Sequence, residues 1–514
     1  DQGNRWTDAA GWTNWSRTLV GRTNAAPPGP QADVVFNVAG SAAVTTRPGS
    51  DLAIHGLVLD AAAAPVTLRL GAADGRLTLG PHGITSFAGS HTIVGDAGGS
   101  GAPGDLIVAG SQTWEIRGTS RLTIDTRLGR AGANGDVVTK TGPGTLVLAE
   151  SSGGSNSFKA GWRIAQGVVR IEKSDAFGWS YNPVAVAAGG AIELAGVGLG
   201  IQNGELRLAG QGVGSTGSLR SLSGSVALGS GSGGVTLEAG PVGIGVDAGT
   251  LTIQRPITGP GELVKLGAGR LVLAGGLSVA GGARVAAGTL ELTAGAVGVA
   301  TEPVPAPLSI TGGRFVLPGD QAVALALTGL DLRTSNGSLV DLGAGRLTVA
   351  AGGIDAAKLR ADIIAGRAGG SWSGGSGITS ATASAAGGDR AVGYVLAGNG
   401  AAVVAFAAPG DTNLDGQVNV FDLLSINSAG MFARAMPAVW SQGDFDYDGV
   451  VTVFDLVGVS AAGAYLAGNY LPSAAASAAT VASVPEPGSL GLVLTGIMLV
   501  FMAGRLKPSR EGVA

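Results

Sequence analysis

A chain of 514 residues with 92 glycines, 5% aromatic and 13% charged residues is too long for one ordinary compact core, and it lacks the charge and proline excess of disorder. Cysteine is absent, which excludes disulfide frameworks and thiolate metal sites, and a formal net charge of -4 gives no nucleic-acid signature. Glycine mixed with alanine, valine and leucine predicts many short strands joined by tight turns, built into an elongated repeat array.

Residues 1 to about 360 show short alternating apolar runs separated by glycine, with no long stretch of helical periodicity. The clearest internal repeat pairs Val138-Thr-Lys140-Thr-Gly-Pro-Gly-Thr-Leu-Val-Leu148 with Val264-Lys265-Leu-Gly-Ala-Gly-Arg-Leu-Val-Leu273. A second strand follows each block, at Gly167 to Glu172 and at Gly288 to Thr293, and looser copies recur at Gly75 to Leu79, Gly249 to Ile253 and Gly345 to Val349. Side chains alternate along a strand, so Leu290 and Leu292 point inward while Thr289, Glu291 and Thr293 face water. One strand pair cannot bury its apolar face, whereas stacked coils share a continuous core. The expected fold is therefore mainly β, a right-handed parallel β-helix or solenoid; a string of β-sandwiches or a propeller accounts less well for the variable spacing.

Lys140 to Leu148 and Lys265 to Leu273, with their lysine, Gly-x-Gly and strand order, resemble the autotransporter-associated β-strand repeat family. Ser174 to Gly178 and Gly217 to Gly224 are similar to connecting phrases of those passengers, and Trp6, Trp12 and Trp15 with Pro30 and Asp33 resemble their N-terminal start. The resemblance implies an exported, β-helical surface chain. Residues 361–408, with Trp372 and Gly377 to Ser380, read as a cap closing the solenoid.

Acidity concentrates next, with seven aspartates against one arginine over residues 408–470. Asp411, Asn413, Asp415, Asn419 and Asp422 occupy places 1, 3, 5, 9 and 12 of one loop, and Asp444, Asp446, Asp448, Thr452 and Asp455 repeat the frame 33 residues later. Calcium takes six to eight oxygens, and this spacing converges them while Gly416 and Gly449 at place 6 permit the sharp turn. Gln417 and Val450 would add backbone carbonyls at place 7. Two Ca2+ sites are thus expected in a small α module at 409–470, with folding coupled to the ion. Each loop enters a short helix through Val-Phe-Asp-Leu.

The duplicated loop and exiting helix resemble a type I dockerin, which implies a cohesin-like protein as partner. In that family the pair before the last ligand is small and polar, whereas here it is Val420-Phe421 and Val453-Phe454. These pairs either pack the two halves together or form a partner contact.

Residues 471–483 are mainly alanine and serine, a flexible spacer. Residues 484–514 carry Pro485-Glu486-Pro487, an uncharged run from Gly488 to Gly504 and then Arg505, Lys507 and Arg510. Such a run spans roughly 25 Å as a helix, a short transmembrane segment with its basic tail in the cytoplasm. In this order the three features resemble the PEP-CTERM sorting signal, which implies export, transient inner-membrane anchoring through 488–504, and a membrane sorting protease that releases the protein to the surface or matrix. That family's usual setting adds exopolysaccharide as a candidate partner.

Catalytic motifs are missing: there is no Gly-x-Ser-x-Gly, His-Glu-x-x-His or phosphate-binding loop, and no catalytic residue is assigned. Asp33, Asp60, Glu115, Asp136 and Glu205 are dispersed, and His55, His82 and His91 stand singly near expected turns. Arg76, Arg270 and Arg346 follow glycine in repeated positions and are expected on a solvated face. The sequence therefore favours a non-enzymatic surface protein with a calcium-dependent interaction module. A polysaccharide hydrolase, lyase or accessory subunit is the alternative from another class, and an adhesin is a third.

Overall fold

The computed structural model describes residues 28–472, apart from 38–42, 61–63, 72–73, 96–105, 131–134, 150–159, 179–182, 197–199, 202–203, 230–232 and 294–305. The tryptophans at the start, most of the spacer and the whole 484–514 segment with its expected transmembrane run lie outside the described residues. Among the described residues no helix is long and apolar enough to cross a membrane. The chain forms two compact units, Asp1–Ala306 and Pro307–Ala514.

The first unit is a parallel β-solenoid. Its ladders are built from residues one coil apart: Val226, Leu251, Leu271 and Leu290 stand in register across four strands, and Leu228, Ile253, Leu273 and Leu292 form the next column. All eight are at most 3% exposed, while Thr252 and Glu291 between them reach the surface. Alternation of side chains explains both facts, and each buried aliphatic contributes about 1.5–3 kcal/mol of transfer free energy. Loop length is free to vary because the ladder constrains only the strands. The irregular spacing of the repeats follows from that freedom.

The repeated lysine has a structural task. Lys140 and Lys265 are both fully buried. Lys140 Nζ donates to the carbonyls of Gly142, 2.5 Å away in its own turn, and Gln166, 2.9 Å away in the following coil. Lys265 Nζ donates to Leu266 and Gly267 in its own turn at 2.8 and 2.7 Å and to Ala287 of the following coil at 3.1 Å. Gly142 and Gly267 hold φ of 73° and 75°, and a Cβ on either would sit 2.3 Å from the carbonyl oxygen of Ile116 or Val246 in the coil before. Only glycine satisfies both the positive φ and the close stacking. The turn carbonyls thus point inward, and the lysine answers them.

Outward-facing charges also form ladders. Arg170, Glu193, Arg220 and Asp247 alternate in sign across successive coils, with closest N to O distances of 2.6, 3.1 and 2.6 Å. Arg76 pairs with Asp51 and Arg270 with Glu291 in the same manner, both half-exposed, in keeping with the solvated face expected for them.

In the second unit Ala324–Leu332 and Arg346–Val349 continue parallel pairing, and Arg314–Val316, Leu339–Asp341 and Gly377–Thr379 form a second parallel ladder. The direction then reverses: Ala402–Ala407 runs antiparallel to both Arg346–Val349 and Ala391–Leu396. Helix Ala356–Arg367 starts at Asp355, whose side chain accepts from Lys358 N, and buries Leu359 and Ile363. Gly366 lets this helix press on the sheet, since a Cβ there would meet Ile378 O at 2.0 Å. Two further helices, Val420–Ala429 and Val453–Ala461, each follow one acidic loop.

Candidate calcium-binding loops

The two loops are duplicates in conformation as well as in sequence. Gly416 and Gly449 hold φ of 90° and 95°, and at place 4 the non-glycine residues Leu414 and Tyr447 hold φ of 59° and 63°. A left-handed bulky residue costs on the order of 1–2 kcal/mol, so tertiary contacts must hold it. Tyr447 Oη donates to Val392 O at 2.6 Å, and Leu414 is buried beside Gly393. A Cβ on Gly393 would stand 2.7 Å from Leu414 Cδ2 and 2.6 Å from Trp440 Cε2. This one glycine therefore seats Leu414 of the first loop and Trp440 just before the second, and Trp440 Nε1 joins the two segments by donating to Asp411 O at 2.7 Å.

Pairing between the halves is reciprocal. The chain leaving the first helix places Phe432 in a parallel bridge to Val451 of the second loop, and the chain leaving the second places Tyr465 against Val418 of the first. Ala433 N donates to Val451 O and Leu466 N to Val418 O, both at 2.9 Å, with Ala433 and Leu466 again at matching positive φ. The duplication thus runs beyond the acidic loops into the helix exits.

In the first loop Asp411 is fully buried; its Oδ2 accepts from Gly416 N at 2.9 Å and from Tyr470 Oη at 2.6 Å, and its Oδ1 from Asp415 N at 3.3 Å. Asn413 Oδ1 accepts from Asp415 N at 2.9 Å, and Asp415 Oδ1 from Gln417 N at 2.9 Å. Asp422 Oδ1 accepts from Thr412 N at 3.0 Å and its Oδ2 from Asn419 N at 2.9 Å. In the second loop Asp446 Oδ1 accepts from Asp448 N and Asp448 Oδ1 from Val450 N, at 3.0 and 2.9 Å. Asp455 accepts from Phe445 N and Thr452 N, both at 2.8 Å. Asn419 and Thr452 also cap their helices, so places 9 and 12 complete a capping box in each copy.

The loops differ at their leading aspartate. Asp444 Oδ2 takes Arg360 Nη2 at 3.1 Å, while its Oδ1 is buried without a hydrogen-bond partner. One oxygen each from Asp444, Asp446 and Asp455 fall within 4.8 Å of one another, a spacing suited to a shared cation. Among the described residues the carboxylates of the first loop form no equally tight group, and Asn413 stands where Asp446 does. Burial pushes the carboxyls of Asp411, Asp444 and Asp455 above the usual carboxylate range, with hydrogen bonds from Tyr470, Arg360 and backbone amides opposing. An orphaned buried oxygen among convergent carboxylates fits a hard cation with oxygen ligands.

Arg360 and Tyr470 were not foreseen, and nothing in the sequence marks them: they reach their aspartates from 84 and 59 residues away. Arg346 leaves the solvated face expected for it and donates to Leu414 O at 2.7 Å, bracing the first loop. Val420, Phe421, Val453 and Phe454 lie on the surface, with the two phenylalanines 71% and 72% exposed. A pocket of about 400 Å³ near Trp372, lined by Arg314, Ser373, Thr379 and Ser384, contains no carboxylate. Glu115 and Glu205 are taken up by Arg117 and Arg207.

Residues 138–171 and 263–292 match the family model of the passenger-associated-transport repeat. Each match begins just before a buried lysine and extends past the carbonyl which that lysine holds in the following coil. The chain therefore carries repeats of autotransporter passengers on a parallel β-solenoid. No curated protein and no solved structure matches it.

Proposed function

We propose that this chain is an exported, non-enzymatic surface or extracellular-matrix protein in which a solenoid body carries a calcium-ordered interaction module. Right-handed coiling is assigned to the solenoid because parallel crossovers take that hand almost without exception. The repeats support the passenger character and with it a place at the cell surface. The observation that carries the calcium assignment is the convergence of the Asp444, Asp446 and Asp455 carboxylates, the first of which keeps a buried, unpartnered Oδ1. Two Ca2+ ions would be held by Asp411, Asn413, Asp415, Asn419 and Asp422 and by Asp444, Asp446, Asp448, Thr452 and Asp455, with the carbonyls of Gln417 and Val450. Bound calcium would neutralise carboxylates that otherwise repel one another, and so order the surface bearing Phe421 and Phe454. That surface is the proposed contact for a cohesin-like or other surface component. Its apolar character departs from a polar dockerin face, so the partner must present an apolar counterpart.

The C-terminal segment is proposed as a PEP-CTERM signal, which would anchor the chain transiently until a membrane protease removes it and leave it beside exopolysaccharide. Calorimetry of the full chain with CaCl2 tests the module: two equivalents are expected, and no heat at several millimolar calcium would overturn it. Turnover of a polysaccharide, lost on replacing a carboxylate outside the loops, would instead favour the enzyme alternative.

A further inference from the structure

The first unit brings together three side chains that are far apart in sequence. Asp33 lies in strand Asp33–Phe36, His55 in Leu52–Leu59 and His82 in Leu77–Ser86, three strands stacked in parallel. The ladder aligns Asp33 with Gly56 and Gly56 with Gly83, and each histidine directly precedes one of those glycines. Register breaks between Ile54 and Gly56, where the single residue His55 faces Gly80 to His82 of the next strand, so His82 stands in a bulge, the kind of irregularity that re-aims a side chain. His55 Nδ1 lies 3.0 Å from Asp33 Oδ1, and His82 Nδ1 lies 2.9 Å from Oδ1 and 2.8 Å from Oδ2. The three ligand atoms are within 4.8 Å of one another.

Gly56 makes the convergence feasible. A Cβ there would lie 2.8 Å from Asp33 Oδ1 and 2.8 Å from His82 Cβ, so any side chain would fill the cradle. The imidazole rings are 4.9 Å apart and tilted by 38° rather than stacked, and each places its Nδ1 on the shared carboxylate. Side-chain exposures of 34% for Asp33 and His55 and 62% for His82 leave open positions for water or another ligand. The third histidine is occupied elsewhere: His91 is buried, accepts from Val66 N at 3.2 Å and bonds Ala88 O at 2.7 Å.

We infer that Asp33, His55 and His82 form a divalent transition-metal site of the zinc class that pins three consecutive coils together. Two imidazole nitrogens and one carboxylate oxygen suit Zn2+, Co2+, Ni2+ or Cu2+ and are poorly matched to Ca2+ or Mg2+, which prefer oxygen alone. The site is chemically distinct from the acidic loops, and it depends on neither the calcium nor the export proposal. A metal here would add to the aliphatic columns, backbone bonds and the Arg76–Asp51 ion pair that already join these coils, raising the stability of this end of the ladder by mass action.

Titration calorimetry of the full chain with ZnCl2, in excess CaCl2 so that the acidic loops are saturated, tests this. One equivalent of Zn2+ is expected, together with a rise in melting temperature. His82→Gln, at the most exposed of the three, and the His55→Gln/His82→Gln double variant should each keep the wild-type circular dichroism. The double variant should lose at least about 100-fold in zinc affinity. Co2+ added to the wild type should give ligand-field absorption that the double variant lacks. No zinc binding by the wild type, or equal binding by the double variant, overturns the site.

Discussion

The lysine-bearing coils and the acidic loops both bury ionisable side chains, with opposite sign and opposite backbone partners. In the coils, Lys140 and Lys265 donate to inward-turned carbonyls. In the loops, Asp411, Asp422 and Asp455 accept from inward-turned amides. The coils satisfy their buried ionisable group, with two carbonyl acceptors for Lys140 and three for Lys265. The second loop does not, because Asp444 Oδ1 is left over. A repeat that holds its own lysine can serve as scaffold, whereas the leftover oxygen of the second loop is what the proposed calcium ion would satisfy.

Replacing Lys140 by methionine should break this comparison most strongly. It strands the carbonyls of Gly142 and Gln166, and a loss of about 3 kcal/mol in unfolding free energy is expected, equal with and without calcium. Denaturant titration in CaCl2 and in chelator checks both parts. The same lysines predict a pH dependence. Burial depresses Lys140 from 10.5 to about 7 and Lys265 to about 8, the latter helped back by nearby Asp247. Between those values and 10.5 the unfolded chain binds more protons, so stability rises with pH over that window, and below about pH 7 the burial penalty is fully present. A slope on the order of 1 kcal/mol per pH unit per lysine is expected, and the Lys140→Met variant should lose its share when both are unfolded from pH 7 to pH 9.

On the acidic side, Asp455→Ala should remove one of two calcium equivalents and, by unmaking a capping box, cost about 1 kcal/mol even in chelator. Calorimetry and thermal melts separate the two effects. Arg360→Gln sharpens the contrast between the loops: removing the cation beside Asp444 should tighten the second site by about tenfold at low salt, with the gain shrinking as salt rises. The smallest effect belongs to Phe421→Ser with Phe454→Ser. Both side chains are exposed, so stability should move by less than about 0.5 kcal/mol while any partner contact measured by pulldown weakens.

The solenoid was legible because its signal is local and repeated. Alternation placed Leu290 and Leu292 inside and Glu291 outside, and glycine marked the turns that need positive φ. Lys140 and Lys265 were visible as a repeated letter, but not as buried clamps, since a lysine in an alternating strand reads as solvent-facing. The acidic loops were legible for the same local reason, their oxygens lying within twelve residues. Their halves, however, are held by Gly393, Trp440 and the reciprocal bridges rather than by Val420-Phe421 and Val453-Phe454, which stay on the surface.

Local pattern alone, then, determined the strand period, the glycine turns, the spacing of the oxygen-bearing side chains in the loops and the caps that start their helices, because each depends on residues a few positions apart. Stacking of coils and docking of the loops decided the rest. They set Arg360 against Asp444, Tyr470 against Asp411, and His55 and His82 against Asp33. Those pairs are separated by 84, 59, 22 and 49 residues, a number set in the solenoid by how many residues each coil spends in its loops and in the second unit by where the acidic loops dock. No periodicity records that number, so only the tertiary structure brings these groups together.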